Sequence, residues 1–364
     1  MSINILAFDG DGIGPEIMKS TLSIVQLLNK KLKLKIDISK EPIGFKSLEQ
    51  KGTTFTDDAL TKAKKADAII LGPVDHNAYP SKMQGGINPS GTLRIELDLY
   101  ANIRPAKNYK NVKSLSKDMD LIILRENTEG FYADRNMFEG SGEFSPSPGI
   151  GLAFRKITKA ASIRIAETAF ETARLKNNQI KKPVVHAIHK ANVMKLTDGI
   201  FLDACRQVSK KHKDIIYKEM LVDACAAHII RDPSQFDIIV TTNMFGDILS
   251  DLATEFSGSL GLAGSLNAGE NYAMAQAQHG SAPDIAGQNT ANPISLILST
   301  SMLLNWLGKR RKIKDLILAS SLIDKSVTNL FENKNNLTKD LGGTASTEKI
   351  TENLIYILNH LINQ

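Results

Sequence analysis

Apolar and polar positions along the chain shift between two periods, and the shifts set out a series of strands and helices. Residues 3–8 (INILAF) read as a buried strand running into the glycine-rich turn DGDGIGPE. A helical stretch from Glu16 to about Asn29 follows, then a strand over 32–38, a helical pattern over 56–65 and an apolar strand, Ala68-Ile69-Ile70-Leu71, closed by Gly72-Pro73. Strands are expected again at 120–124 (DLIIL), 183–188 and 236–242, with a helix over about 158–175 and a mostly helical C-terminal third. Strands alternating with helices imply parallel βαβ units and an α/β fold. The segment 136–152, NMFEGSGEFSPSPGIGL, is rich in Gly, Ser and Pro and reads as an excursion from the core.

Three charged motifs follow apolar strands: RENTE after DLIIL, HKAN after PVVHAI, and NMFGD after DIIVTT. In open α/β sheets ligands collect at the carboxyl ends of strands, so these three ends are the first place to look for chemistry.

Composition narrows the classes. The 364 residues are 42% apolar and 23% charged, enough for two domains with a sizeable core. No run approaches the ~18 apolar residues of a membrane span. The start, MSINILAFDGDGIGPE, lacks a secretory pattern, and Arg is absent before Arg94, so a soluble, cytoplasmic protein is expected. Two cysteines, Cys205 and Cys225, make no disulfide framework. The net charge of +6 raises nucleic-acid binding. However, the run Lys30–Lys35 alternates like a half-buried strand, and Lys309–Lys314 closes an apolar helix, where cations suit the dipole. Neither run is interleaved with aromatics for base stacking, so no nucleic-acid partner is expected.

The glycines of GDGIGPE sit at 10, 12 and 14, which is not the dinucleotide spacing GxGxxG; a tight strand-to-helix turn with Pro15 at the first helical position fits as well. Asp247 and Asp251 are four residues apart, which on a helix puts both carboxylates on one face. They form either a solvated acidic face or ligands for Mg²⁺ or Mn²⁺, which would relieve their repulsion. Arg94, Arg104 and Arg125 come from separate segments and would suit a substrate with several carboxylates if they converge. Lys190 follows a strand and a His and is a candidate for proton transfer. The small-residue loop His279-Gly280-Ser281-Ala282-Pro283-Asp284 would let a ligand approach the backbone, with an acid to accept ribose hydroxyls.

In order, these segments resemble the β-decarboxylating dehydrogenases, the isocitrate/isopropylmalate dehydrogenase family. The resemblance runs through GDGIGPE (10–16), LRIELDLYANIRP (93–105), RENTEGFY (125–132), HKANVMKLTDG (189–199), VDACAAH (222–228), TTNMFGDILSDLA (241–253), HGSAPDIAGQNTANP (279–293) and DLGGTAST (340–347). It implies a two-domain, non-Rossmann α/β fold with parallel or mixed sheets flanked by helices. Residues 1–98 plus 255–364 would form a large cofactor-binding domain, and 99–254 a smaller domain for dimerisation, substrate and metal. A homodimer or tetramer with shared active sites is implied. Arg94, Arg104 and Arg125 would hold the carboxylates of a di- or tricarboxylate. Asp247 and Asp251, with the partner's Asp223, would hold Mg²⁺ or Mn²⁺. Tyr132 and the partner's Lys190, working with Asp223, would move protons. His279, Gly280, Ser281, Ala282, Asp284, Ile285 and Asn292 would bind the cofactor. The pair Asp284-Ile285 implies NAD, since such families place Lys-Tyr there for NADP.

RENTEG and HKANVMKLTDG look more like isocitrate-type than isopropylmalate-type members. Asn88 and Ser90 stand where the γ-group of the substrate is sensed, with their order swapped relative to the isocitrate type. Small polar groups there suit a third carboxylate better than a branched alkyl group. The resemblance therefore implies NAD-linked oxidation of isocitrate to 2-oxoglutarate and CO₂. Isopropylmalate, homoisocitrate and tartrate or D-malate are the alternatives, and a non-catalytic regulatory subunit is the rival of another class. Two segments, LGPVDHNAYP (71–80) and ADRNMFEGSGEFSPSPG (133–149), depart from the family pattern.

Overall fold

The computed structural model describes residues 2–132, 142–176 and 182–364. The strands are β1 (Ile3–Phe8), β2 (Ile36–Lys40), β3 (Ala68–Leu71), β4 (Ala101–Lys107), β5 (Asp120–Glu126), β6 (Glu143–Ser147) and β7 (Ile150–Ala153). They continue with β8 (Val184–His189), β9 (Ile216–Leu221), β10 (Ile238–Thr241), β11 (Leu266–Ala268) and β12 (Ala273–Gln276). The helices are α1 (Gly14–Leu32), α2 (Gly44–Lys51), α3 (Asp57–Lys65), α4 (Pro89–Glu96), α5 (Lys159–Lys176) and α6 (Thr197–Ser209). After these come α7 (Val222–Arg231), α8 (Asn243–Ser257), α9 (Ile294–Arg311), α10 (Lys314–Leu330) and α11 (Thr347–Ile362).

Ten of the strands make one mixed sheet in the order β2-β1-β3-β12-β11-β4-β5-β10-β8-β9, and β6–β7 is a separate exposed hairpin. The strands from β2 to β12 run parallel, as do those from β5 to β9, but β11, β4 and β5 pair antiparallel at the seam. Strands β5, β10 and β8 are adjacent and parallel, so RENTE, NMFGD and HKAN leave the sheet at one end, as their sequence positions suggest. Buried apolar residues form a cluster on each face of each half. One is built by α1, α9, α10 and α11 and one by Leu6, Phe55, Ile69 and Leu93. The others are built by α5 and α6 and by α7 and α8. Both faces of the sheet are therefore covered, which is why its strands read as continuous apolar runs rather than alternating ones. No described helix is long and apolar enough to cross a membrane.

The structure corrects one expected strand. Residues 32–35 do not begin a strand: α1 continues to Leu32, Lys33 closes it in the left-handed conformation, and Lys35 also has a positive φ of 58°. The Asn29 side chain bonds both backbone groups of Ile36, and β2 starts there. The alternating lysines are the last helical turn and its cap. Residues 136–141 of the expected excursion lie outside the described residues; 142–153 belong to the hairpin and its approach.

The GDGIGPE turn supports another loop. Gly12 has φ 54°, and a Cβ on it would lie 2.0 Å from the Ser281 carbonyl oxygen. Next to it, the Ile13 N–H donates to that same carbonyl at 2.8 Å. Gly12→Ala should destabilise the protein by about 1–3 kcal/mol, through strain and overpacking, in a denaturant titration. Unchanged stability would show that the two loops are not in close contact.

Candidate active site

The seam strands β4 and β5 place two arginines side by side under α8. Arg104 donates through Nε to Asn102 Oδ1 (2.5 Å) and through Nη1 to Ser250 Oγ (2.7 Å), Asp247 Oδ1 (3.1 Å) and Asp251 Oδ1 (3.3 Å). Arg125 donates through Nε and Nη2 to Asn243 Oδ1 (2.9 and 2.7 Å) and through Nη1 to Asp247. Close approach of α8 to β5 needs Gly246, whose Cβ would stand 2.6 Å from the Arg125 Cβ.

The two guanidinium side chains are 7% and 3% exposed, whereas Asp247 is 34% and Asp251 53% exposed. The cations are thus sunk beneath the carboxylates, which face outward. Tyr132 reaches the same carboxylate: its OH donates to Asp247 Oδ2 at 3.3 Å, and Arg125 lies over its ring. Burial by itself would raise the Asp247 carboxyl, but Arg125, Arg104 and Arg94 outweigh it and hold the group below its ordinary value.

Arg94, on α4, comes to this cluster from the other half of the sheet. Its Nη2 and the buried Ser90 Oγ both donate to Gln276 Oε1, each at 3.1 Å. Asn88 Oδ1 caps α4 by accepting from the Gly91 N–H, so its carbonyl end is spent on the helix. Gln276 carried no signal in the sequence reading. It ends a chain of buried amides in which Asn267 bonds Gln276, Asn102 and Asn127. Such side chains inside an apolar sheet are worth their desolvation only when mutually satisfied. Gln278 was also missed: its Nε2 donates to Asp251 Oδ1 at 2.7 Å.

Lys190 and Asp223 form a second group. Lys190 follows β8, and its Nζ donates to Asp223 Oδ1, in the first turn of α7, at 2.6 Å. That bond holds the Asp223 carboxyl below its ordinary value. Among the described residues no three His, Cys, Asp or Glu side chains gather as metal ligands; a single chain brings Asp247 and Asp251 together and pairs Asp223 with Lys190 instead.

The 279–292 region lines an open cavity of about 420 Å³ with Ile13, Gly261 and Asp340; His279, Gly280, Ala282, Ile285 and Asn292 all contribute. Ser281 is buried and holds the Gly12 turn, while Asp284 is exposed on a short 3₁₀ turn. Ala282 adopts φ 38°, a left-handed conformation that a non-glycine residue takes up at a cost. His279 Nε2 is buried with no hydrogen-bond partner among the described residues. Asn292 is engaged at both ends, accepting from the Ile294 N–H and donating to Asp340 Oδ2. Asp340, from the DLGGTAST segment, also accepts from Ser259 and Thr338.

Comparison with known proteins places these features in a family. A family model described as isocitrate/isopropylmalate dehydrogenase matches residues 4–354. The chain is 38% identical over 354 residues to 3-isopropylmalate dehydrogenase of Saccharolobus solfataricus, covering 97% of this chain and 99% of that protein. It is 38% identical to homoisocitrate dehydrogenase of Methanocaldococcus jannaschii over 97% of each chain. With isocitrate/homoisocitrate dehydrogenase of Thermus thermophilus it shares 36% identity over 99% of this chain and 100% of that one. A crystal structure of isocitrate dehydrogenase from Methylococcus capsulatus superimposes with a TM-score of 0.83 at 32% identity, covering 98% of this chain and 99% of the other.

Asp247→Asn should lower stability at neutral pH by about 1–3 kcal/mol, less than a fully buried pair would lose because Asp247 is partly solvated. Because its folded pKa is depressed, its stabilisation is full above the ordinary carboxylate range and lost as pH falls through the lowered value. Acid unfolding of the variant should therefore be flatter than that of the wild type. Parallel curves would show that the arginines do not depend on this carboxylate.

Proposed function

The chain belongs to the isocitrate/isopropylmalate dehydrogenase family of β-decarboxylating hydroxy-acid dehydrogenases, and from that premise we propose that it oxidatively decarboxylates isocitrate to 2-oxoglutarate and CO₂ with NAD. The observation that carries the reading is the convergence of Arg94, Arg104 and Arg125 on the face that holds Asp247, Asp251 and Tyr132.

The residues fit the groups the family uses. Asp247 and Asp251 offer only oxygen donors on one helical face, chemistry suited to Mg²⁺ or Mn²⁺. The His279 Nε2, unpartnered among the described residues, and the apolar wall of Ile13, Ala282 and Ile285 suit an adenosine, and the exposed Asp284 would accept ribose hydroxyls and repel a 2′-phosphate. When bound, the nicotinamide takes up hydride and the cation polarises the oxygen on the substrate's carbinol carbon.

The remaining steps fall to side chains. Arg94, Arg104 and Arg125 would orient the substrate carboxylates. Lys190, supported by Asp223 and supplied by a second copy of the chain, would take the hydroxyl proton, which needs no covalent intermediate. After CO₂ leaves, Tyr132 would protonate the enolate carbon. The division into 1–98 with 255–364 and 99–254 would then put the cofactor cavity and the metal carboxylates in different halves of the chain, with the substrate between them. A homodimer would be the smallest complete unit, and a cytoplasmic location suits such an enzyme.

The isocitrate choice rests on the γ-group side, where the half-buried Arg94 offers a polar surface backed by the buried Ser90–Gln276 bond. An isopropyl group against it would desolvate the Arg94 guanidinium without bonding it. A second reading, 3-isopropylmalate or homoisocitrate as substrate, is favoured by the names of the 38%-identical relatives. NADH formation with Mg²⁺ or Mn²⁺ should be fastest with isocitrate when isopropylmalate, homoisocitrate, D-malate and tartrate are run beside it. Preference for isopropylmalate would overturn the polar-surface argument, and silence with all five would favour a non-catalytic subunit. Asp284→Lys should shift preference toward NADP by about tenfold, the value of one charge-assisted hydrogen bond; unchanged selectivity would remove Asp284 from the ribose site.

A further inference from the structure

Lys190 is fixed by more than its bond to Asp223. Asp198, in the first turn of α6, is wholly buried. One of its oxygens, Oδ2, accepts from the Lys190 backbone N–H at 2.5 Å, and the other, Oδ1, accepts from Arg155 Nη1 at 2.5 Å. Arg155 is itself held on several sides. It donates to Thr197 Oγ1 (2.7 Å) and Thr242 Oγ1 (3.0 Å), and its guanidinium lies against the rings of Phe131 and Phe245. The backbone next to it is strapped down: Lys156 pairs with Gly130 in both directions, and Thr158 bonds the Glu129 carboxylate through N–H and Oγ1.

A buried ion pair adds little net stability over an apolar contact of equal volume, so its presence calls for another reason. Its second bond goes to the N–H of Lys190, and Arg155 ties that bond to the segment carrying Phe131 and Tyr132. Resting on the reading in which Lys190 takes the substrate's hydroxyl proton, we propose that Arg155 and Asp198 are positioning residues that set where Lys190 stands and so govern the rate of that proton transfer. Misplacing a reacting group by about 1 Å costs on the order of 100-fold in rate. Neither residue touches the arginine cluster among the described contacts, so substrate affinity should be spared.

The test is a double-mutant cycle on the whole chain, with the 2-hydroxy acid that the wild type turns over and NADH formation as the readout. Asp198→Asn should lower kcat by about 100-fold while KM stays within roughly threefold. Arg155→Lys, which keeps the charge, should retain most of kcat, and Arg155→Met should not. In a Lys190→Met background, Asp198→Asn should cost no further kcat, because the residue through which it acts is gone. An equal loss in both backgrounds, or kcat and KM changing together, would overturn the proposal and leave a merely structural pair. Should Asp198→Asn fail to fold, Thr242→Val, which removes one acceptor from Arg155, carries the same comparison: a kcat loss seen only with Lys190 present supports the proposal, and an equal loss without it overturns it. A wild type silent with every acid would instead sink the functional reading beneath the proposal.

Discussion

Two guanidinium groups buried in a sheet must be answered by anions, and most of the site follows from that requirement. Arg104 and Arg125 stand on neighbouring antiparallel strands at the seam, 7% and 3% exposed. An unpaired charge at that depth would cost several kcal/mol. Helix α8 answers with Asp247 and Asp251 one turn apart, and it packs closely enough only because residue 246 is Gly. The same carboxylates are the more exposed partners. The arrangement that satisfies the arginines therefore also presents a negative face to solvent, with positive charge directly behind it. Arg94, bonded to Gln276, and Tyr132, bonded to Asp247, complete the set.

Much of this was legible in the chain because the chemistry sits in short motifs after apolar strands. The Asp247/Asp251 spacing and the 279–292 loop are local patterns, whereas the set of three arginines and the Lys190–Asp223 pair come from the order of motifs that carries the family resemblance. The structure brings the first two sets together and bonds the third. What stayed hidden was long-range pairing of ordinary residues. Gln276 lies 182 positions from Arg94 and reads as the end of a small apolar strand. Asn267 and Asn102 are single amides within apolar runs, and Asp198 is one acid near a helix start. Nothing in their immediate neighbours marks them as buried and shared.

Secondary structure failed where local rules conflicted. Lys30–Lys35 alternates with the strand period, yet α1 runs on through Leu32, because a left-handed Lys33 and the Asn29 side chain together close the helix. Strand β4, ANIRPAK, carries an arginine and a proline and does not read as a strand; its Asn102 and Arg104 side chains are buried, where they bond each other and the acidic face of α8. The glycines of GDGIGPE suggest a dinucleotide fingerprint without its spacing, or a tight turn. The segment is a turn, tight enough that Gly12 and the Ile13 N–H both meet the Ser281 carbonyl.

If arginines and carboxylates share one charge balance, as the proposed function requires, a polycarboxylate arriving at the first would free the second for a cation. Calorimetric titration of Mn²⁺ into the protein, without and with isocitrate, tests it most directly. Isocitrate should tighten Mn²⁺ binding, Mn²⁺ should tighten isocitrate by the same factor, and Asp247→Asn should abolish the coupling. Independent binding of the two, at equal affinity with and without the other, would contradict it.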